Sequence, residues 1–495
     1  MMVTPKWHIF TLSRKRLPAR LGASRGGRRT ALPSDRLSRM DSALAYARDH
    51  ADRFVEELKA WLRIPSISTD PAHAPQVREA AAWLADNLRD AGLQTVEVME
   101  TDGHPVVFAE HHVADDAPTV LVYGHYDVQP PDPLDLWDHD PFEPVEVGGD
   151  LVARGSADDK GQAFMHVKAA EALLATDGPP VNLKMIVEGE EENGSKHLPA
   201  FLEENRDRLG ADVVLVSDTA LFAPGVPSIA YSLRGLAYVE VTLTGPKKDL
   251  HSGVYGGAVH NPINALAAII ADLHDDDHRV TVEGFYDDVR DLTDEERESY
   301  RNLPFDEAAW KDEAGVTETR TEVGYGILEG TSGRPTLDCN GIWGGYTGEG
   351  AKTVLPSKAS AKISCRLVAD QTPGDITDKL RRHFEAHTPD TMALTFTDLH
   401  GGHGVIVDTS APAMQAASEA MEAVFGSEPF FTREGGSIPI VADFKRILGL
   451  DTVLMGFGLD SDSIHSPNER FGLDRFHQGI EASIRFMDAF ARQAP

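Results

Sequence analysis

181-VNLKMIVEGEEENGSKHLPAFLEENRDRLGADVVLVSD-218 is the stretch on which the fold turns. The apolar run 181–188 ends in a crowd of acids, a helical stretch follows near 196–207, and 212-DVVLVSD-218 is apolar again. Strand, helix and strand in that order make the repeating unit of a parallel sheet, and runs with no polar alternation belong to strands covered on both faces. Upstream, 105-PVVFAE-110 and 118-PTVLVYG-124 read as further buried strands, and a helix over 160–176 leads from the second of them back to 181. An amphipathic helix runs from about Pro75 to Ala91, with Gly92 as its stop. Before it, Met40 opens on a helix cap at Asp41 and Ser42, followed by Leu44, Ala47, Ala51, Phe54, Leu58 and Trp61 at spacings of three and four. The expected class is α/β: a largely parallel sheet covered by helices.

Downstream of about Tyr231 the pattern changes. In 237-AYVEVTLTG-245, Val239, Val241 and Leu243 alternate with Glu240, Thr242 and Thr244, as in a sheet with one wet face. Helices over 261–275 and 374–387, with strands in 361-AKISCRLV-368 and 392-MALTFTDL-399, make a smaller α+β domain. From Ser410, a helix over 410–425, the apolar run 452-TVLMGFG-458 and a helix over 473–492 restore the first pattern. A chain of 495 residues exceeds what one core usually serves. The division predicted is a disordered or spurious extension over 1–40, a first domain in two parts, 41–232 and 403–495, and an inserted domain over 233–402. The acidic stretch 275–300 reads as a solvated segment.

Charge excludes one class of partner. The chain carries 79 acidic against 47 basic side chains, a net of −32, whereas nucleic-acid binding needs a basic face. Residues 1–40 hold ten basic side chains and one acid, Asp35, so the rest is more acidic still. Such a surface stays soluble by self-repulsion, and with only 15 lysines it suits a salt-rich cytoplasm. Two cysteines, Cys339 and Cys365, make no disulfide framework and fit a reducing compartment. No apolar run reaches the ~18–20 residues that cross a bilayer, and the Arg-rich start lacks the apolar stretch of a secretory signal. A cytoplasmic protein without membrane contact is expected.

Five segments concentrate His, Asp and Glu at the ends of these strands or just beyond, where open α/β sheets bind ligands. In 123-YGHYDVQP-130, His125 ends a strand and Asp127, two residues on, faces the same way and can orient the imidazole. In 154-RGSADDKG-161, Asp158 and Asp159 precede a helix; 188-EGEEENGS-195 holds Glu191 and Glu192; Asp218 closes 213-VVLVSD-218; and His465 stands in 463-SIHSPNER-470. Each alone has a bland explanation: paired acids cap helices, and acidic runs are solvated. Together they bring two histidines and at least three carboxylates to one edge of a sheet, the donor set of a two-metal hydrolase.

These segments, with 249-DLHSGVYGG-257 and 432-TREGGSIP-439, resemble the di-zinc peptidase family of carnosinases, cytosolic dipeptidases, aminoacylases and glutamate carboxypeptidases, and the dipeptidase branch above all. The resemblance spans roughly 45–490 in the family's order. It implies that Asp158 bridges two metal ions, that His125 and Asp218 complete one site, and that Glu192 and His465 complete the other. Zinc is the expected ion, with manganese or cobalt able to occupy such sites. It implies a cis peptide after Asp158, Glu191 as general base and Asp127 as the group holding His125. His251 would reach the partner subunit's site to stabilise the oxyanion, which makes a homodimer the catalytic unit and the inserted domain a lid and dimerisation domain. Arg366 would grip the substrate carboxylate, and Thr353 and Ser437 would contact the substrate.

The function expected is hydrolysis of the amide bond of a dipeptide, or a similar short carboxylate-bearing amide, by a water activated between two metal ions. The alternative is an N-acyl amino acid deacylase using the same site. A non-catalytic relative is disfavoured because Glu191 and every expected ligand are present.

Overall fold

The computed structural model describes residues 33–436 and 438–494. Along the strand Thr119–His125, Val120 and Val122 point into one apolar core while Leu121 and Tyr123 point into a second on the opposite face. Both cores exclude water, which is why the run shows no polar alternation. The helices Lys160–Leu174, Pro412–Phe425 and Leu473–Gln493 close the first core, and Leu198–Glu204 with Pro439–Asp443 closes the second.

Among the described residues, nine strands form this sheet. Its four central strands, Asn182–Glu188, Thr119–His125, Val213–Val216 and Thr452–Leu454, run parallel in that spatial order. Antiparallel neighbours flank them: Val106–His111 and Thr95–Met99 on one side, Ser228–Leu233 and Val405–Ile406 on the other, with Phe430–Glu434 parallel to Ser228–Leu233. The class is the expected one, with its parallel character concentrated in the centre.

A second sheet is wholly antiparallel, in the order Thr336–Gly344, Lys358–Leu367, Gly235–Thr244, Ala393–Gly402. Ala237, Val239, Val241 and Leu243 are buried against Leu266 and Ile269 of the helix Pro262–Ala271 and Leu380 and Phe384 of the helix Pro373–His387. The intervening residues are half exposed, as the alternation predicted.

Three expectations change. The first described helix, Pro33–Asp49, already runs ahead of Met40, so the cap expected at Asp41 lies within it. The helical pattern expected to run on to Trp61 is split at His50, and a second helix covers Ala51–Leu62. The acidic stretch is not simply solvated. Val280, Val282, Phe285 and Leu292 are buried, and Thr293 and Glu296 form a capping box on the helix Asp294–Asn302. Residues 1–32 of the expected extension lie outside the described residues. No helix among the described residues is long and apolar enough to cross a membrane.

Candidate metal centre

His125 is the last residue of its strand and stands opposite Glu188 at the end of the neighbouring one. Asp218 follows the next parallel strand, and Glu191 and Glu192 open the turn Glu191–Asn193. Asp158 precedes the helix Lys160–Leu174, and the Asp158–Asp159 peptide is cis, as the resemblance implied. His465 adopts a left-handed backbone (φ 57°), a conformation a non-glycine residue keeps only when its surroundings hold it there.

These loops bring the side chains together around Asp158. One carboxylate oxygen of Asp158 lies 3.1 Å from His125 Nε2, and the other lies 2.9 Å from His465 Nε2. His125 Nε2 is 4.0 Å from Asp218, and His465 Nε2 is 3.2 Å from Glu192. The result is two sets of possible metal ligands, His125 with Asp158 and Asp218, and Asp158 with Glu192 and His465, sharing one carboxylate.

A supporting shell holds them. His125 Nδ1 lies 3.1 Å from the Asp127 carbonyl oxygen and 3.4 Å from its carboxylate, so Nδ1 carries a proton and Nε2 is the ring nitrogen turned to the centre. The fully buried Asp127 carboxylate accepts the backbone N–H groups of Glu191 (3.2 Å) and Glu192 (3.0 Å), joining the histidine to the acidic turn. Gln129 donates to Glu192 through its side chain at 2.8 Å and its backbone at 3.1 Å. Asp159 accepts the His125 N–H at 3.1 Å. A Cβ on Gly124 would come within 2.8 Å of that Asp159 oxygen, so glycine is required where the strand meets the loop.

Electrostatics tests whether cations fit. Burial, then the neighbouring Asp158, pushes Asp218 up to about 7. Burial also raises Glu191, with the charges of Asp218, Asp158 and Glu192 acting in the same sense and His125 opposing. Hydrogen bonds to Asp158 and Glu192 push His465 up to about 10. The cluster therefore gathers more negative charge than its own histidines balance, and divalent ions would take the place of the protons it holds. Imidazole and carboxylate donors in this number suit such ions.

His251 and Thr353 lie at a separate two-stranded ribbon, and Arg366 lies in the antiparallel second sheet. His251 is exposed on a two-stranded ribbon with Val354, its Nδ1 accepting the Gly253 N–H at 3.0 Å. The Thr353 carbonyl accepts the Ser252 N–H at 3.2 Å, and Arg366 is half buried on the strand Lys358–Leu367. Ser437 lies outside the described residues.

Sequence reasoning assigned no role to Gln129, Asp159 or Glu469. Glu469 is fully buried; its carboxylate accepts the backbone N–H groups of Gly155 (2.9 Å), Ala157 (3.0 Å) and Asp158 (3.1 Å) and pairs with Arg154 at 2.7 Å. Its place in the HSPNE segment, just after His465, was the available signal.

Parallel strands whose ends gather two ligand sets around a shared carboxylate have the architecture of a two-metal hydrolase. Residues 121–489 match the family described as peptidase family M20/M25/M40. The Cys-Gly metallodipeptidase dug1 of Schizosaccharomyces pombe is 32% identical over 461 residues, which cover 90% of this chain and 97% of that protein. The crystal structure of human carnosine dipeptidase 1 superposes with a TM-score of 0.77 at 31% identity, covering 92% of this chain and 99% of the other. The metallo-carboxypeptidase Sso-CP2 of Sulfolobus solfataricus gives a TM-score of 0.77 at 33% identity, covering 89% of this chain and 99% of the other. The chain belongs to peptidase family M20/M25/M40, and among its members it is similar to dipeptidases.

Proposed function

We propose that this chain is a metal-dependent dipeptidase that cleaves the amide bond at the cluster around Asp158. The observation that carries the reading is the sharing of Asp158 between His125 and His465, at 3.1 and 2.9 Å, with Glu191 held beside both ligand sets by Asp127. Asp158, His125 and Asp218 would hold one ion, and Asp158, Glu192 and His465 the other. Zinc is the ion proposed, and manganese or cobalt fits the same donors. Two such ions, when bound, supply the charge that eases deprotonation of water and polarises the amide carbonyl. Glu191 belongs to neither set and is free to take the proton of the attacking water and return it to the leaving amine nitrogen. Asp127 fixes the orientation of His125 and, through the backbone of the turn, the position of Glu191.

Arg366 is assigned to the free carboxylate of the substrate, and Thr353 and Ser437 to its backbone or carboxylate. The division into 41–232 and 403–495 around an inserted 233–402 assigns Arg366 and Thr353 to the inserted part and Ser437 to the other, so closure of the inserted domain assembles the substrate pocket. His251 is assigned to the oxyanion in the site of a second copy of the chain. In support, the edge strand Thr336–Gly344 exposes Ile342 and Trp343, and the turn beside His251 exposes Val254 and Tyr255. Cys339 and Cys365 lie on paired strands as free thiols, which fits the reducing cytoplasm.

A dipeptide substrate is favoured over an N-acyl amino acid by the names of the relatives. The likeness to the metallo-carboxypeptidase Sso-CP2 favours, as a second reading, release of a C-terminal residue from longer peptides, which also needs a free carboxylate. The test is to count bound metal and compare cleavage of Cys-Gly, β-Ala-His, tripeptides and N-acetyl amino acids. Dipeptides should lead; a preference for acetylated amino acids would overturn the reading. Glu191→Gln should keep its metal while kcat falls by ~10²–10⁴-fold, the usual contribution of a positioned base. Near-normal turnover in that variant removes Glu191 from its role.

A further inference from the structure

Away from the Asp158 cluster, Asp272, His383 and His387 place one donor atom each within 4.8 Å of one another. The two histidines stand four residues apart on the helix Pro373–His387 and therefore share a face; their rings stack with centroids 4.2 Å apart. Asp272 caps the C-terminal end of the neighbouring helix Pro262–Ala271, and its carboxylate lies 3.6 Å from His387 Nε2. Both helices pack on the same face of the antiparallel sheet.

Two features separate this group from an ordinary surface cluster. His387 Nδ1 lies 2.8 Å from the His383 carbonyl oxygen, so the proton is on Nδ1 and Nε2 presents a lone pair toward Asp272, as in metal-bound histidines whose other nitrogen donates to a carbonyl. His383 is only 8% exposed, yet its Nε2 is buried without a hydrogen-bond partner among the described residues. A buried ring nitrogen left unpaired costs free energy that a ligand would recover. The donors also lie at the ends where these helices present their free carbonyls, whose partial negative charge favours a cation.

We infer that Asp272, His383 and His387 form a second, peripheral metal site that takes one first-row divalent transition ion, zinc, nickel or copper, and clamps the C-terminal ends of the two helices together. Two imidazoles and one carboxylate select such an ion over calcium or magnesium, which prefer all-oxygen shells. Solvent fills the remaining coordination positions, because Asp272 and His387 are exposed. The role is structural: the clamp joins helices covering the second sheet and contributes no group to the Asp158 cluster.

Equilibrium dialysis of the chelator-treated full chain against Zn²⁺, followed by metal quantification, tests the assignment. His387→Gln and Asp272→Asn, both at exposed positions, should each bind one equivalent fewer than the unmodified chain, keep its dipeptide turnover and show a smaller zinc-induced rise in Tm. Asp158→Asn should lose metal independently of them, so failure of the catalytic reading leaves this result interpretable. Equal zinc stoichiometry in the unmodified chain and in both variants would overturn the site.

Discussion

At the scale of single residues, the centre depends on side chains that would never touch a metal. Glu469 receives three backbone N–H groups from residues 155–158 and the Arg154 guanidinium, all in the interior. Glu469→Gln replaces one acceptor oxygen by a donor facing donors and leaves Arg154 without its counter-charge, and breaking a buried pair typically costs ~3–5 kcal/mol. The expected outcome is a lower Tm together with metal affinity reduced by ~10–100-fold, as for other groups that orient ligands. Metal titration of the purified variant decides this, and unchanged affinity would show that the loop carrying Asp158 is held by other contacts. His125, Asp158, Glu192, Asp218 and His465 were legible as candidates because each stands at the end of an apolar run, before a helix, or in the loop beyond a strand. Glu469 and Gln129 were not, because a carboxylate that binds backbone and an amide that steadies a carboxylate leave no periodic trace.

Elements of secondary structure were legible in proportion to their burial. The parallel strands announced themselves by runs apolar on both faces, whereas Thr336–Gly344 passed unread. That strand is an edge, mostly exposed, with a register shift between Cys339 and Gly341 that spoils its alternation. The break at His50 also left no mark, because Tyr46 and Phe54 stack on either side of its ring and the apolar face continues across it. One joint between elements carries a pH signature. His166, on the helix Lys160–Leu174, reaches Ser217 at 2.9 Å and Ser483 of the C-terminal helix at 3.0 Å, and burial lowers its pKa to about 4. An imidazole whose folded pKa lies below its unfolded ~6.5 contributes its full stability above pH ~6.5 and loses it as pH falls toward ~4. The shift corresponds to ~3 kcal/mol at most. Urea denaturation between pH 7 and 4 should show a shallower loss in His166→Gln than in the unmodified chain; identical slopes would dismiss the histidine as the cause.

For the molecule as a whole, the proposed sharing of the site between two copies makes a prediction that neither subunit makes alone. Glu191→Gln and His251→Ala should each be inactive. Mixing them under conditions that exchange subunits should restore activity, because one site of the mixed dimer then draws Glu191 from one copy and His251 from the other. Random exchange makes about a quarter of all sites complete. Light scattering that finds a monomer, or mixtures that stay inactive, would refute the sharing. The path of the chain through the large sheet has a further consequence. Thr452–Leu454 fills an interior place between Val213–Val216 and Ser228–Leu233, although it is among the last strands translated. A nascent chain still on the ribosome thus carries an open slot in its main sheet and lacks His465, so the side chains around Asp158 can gather only once the last part of the chain has emerged.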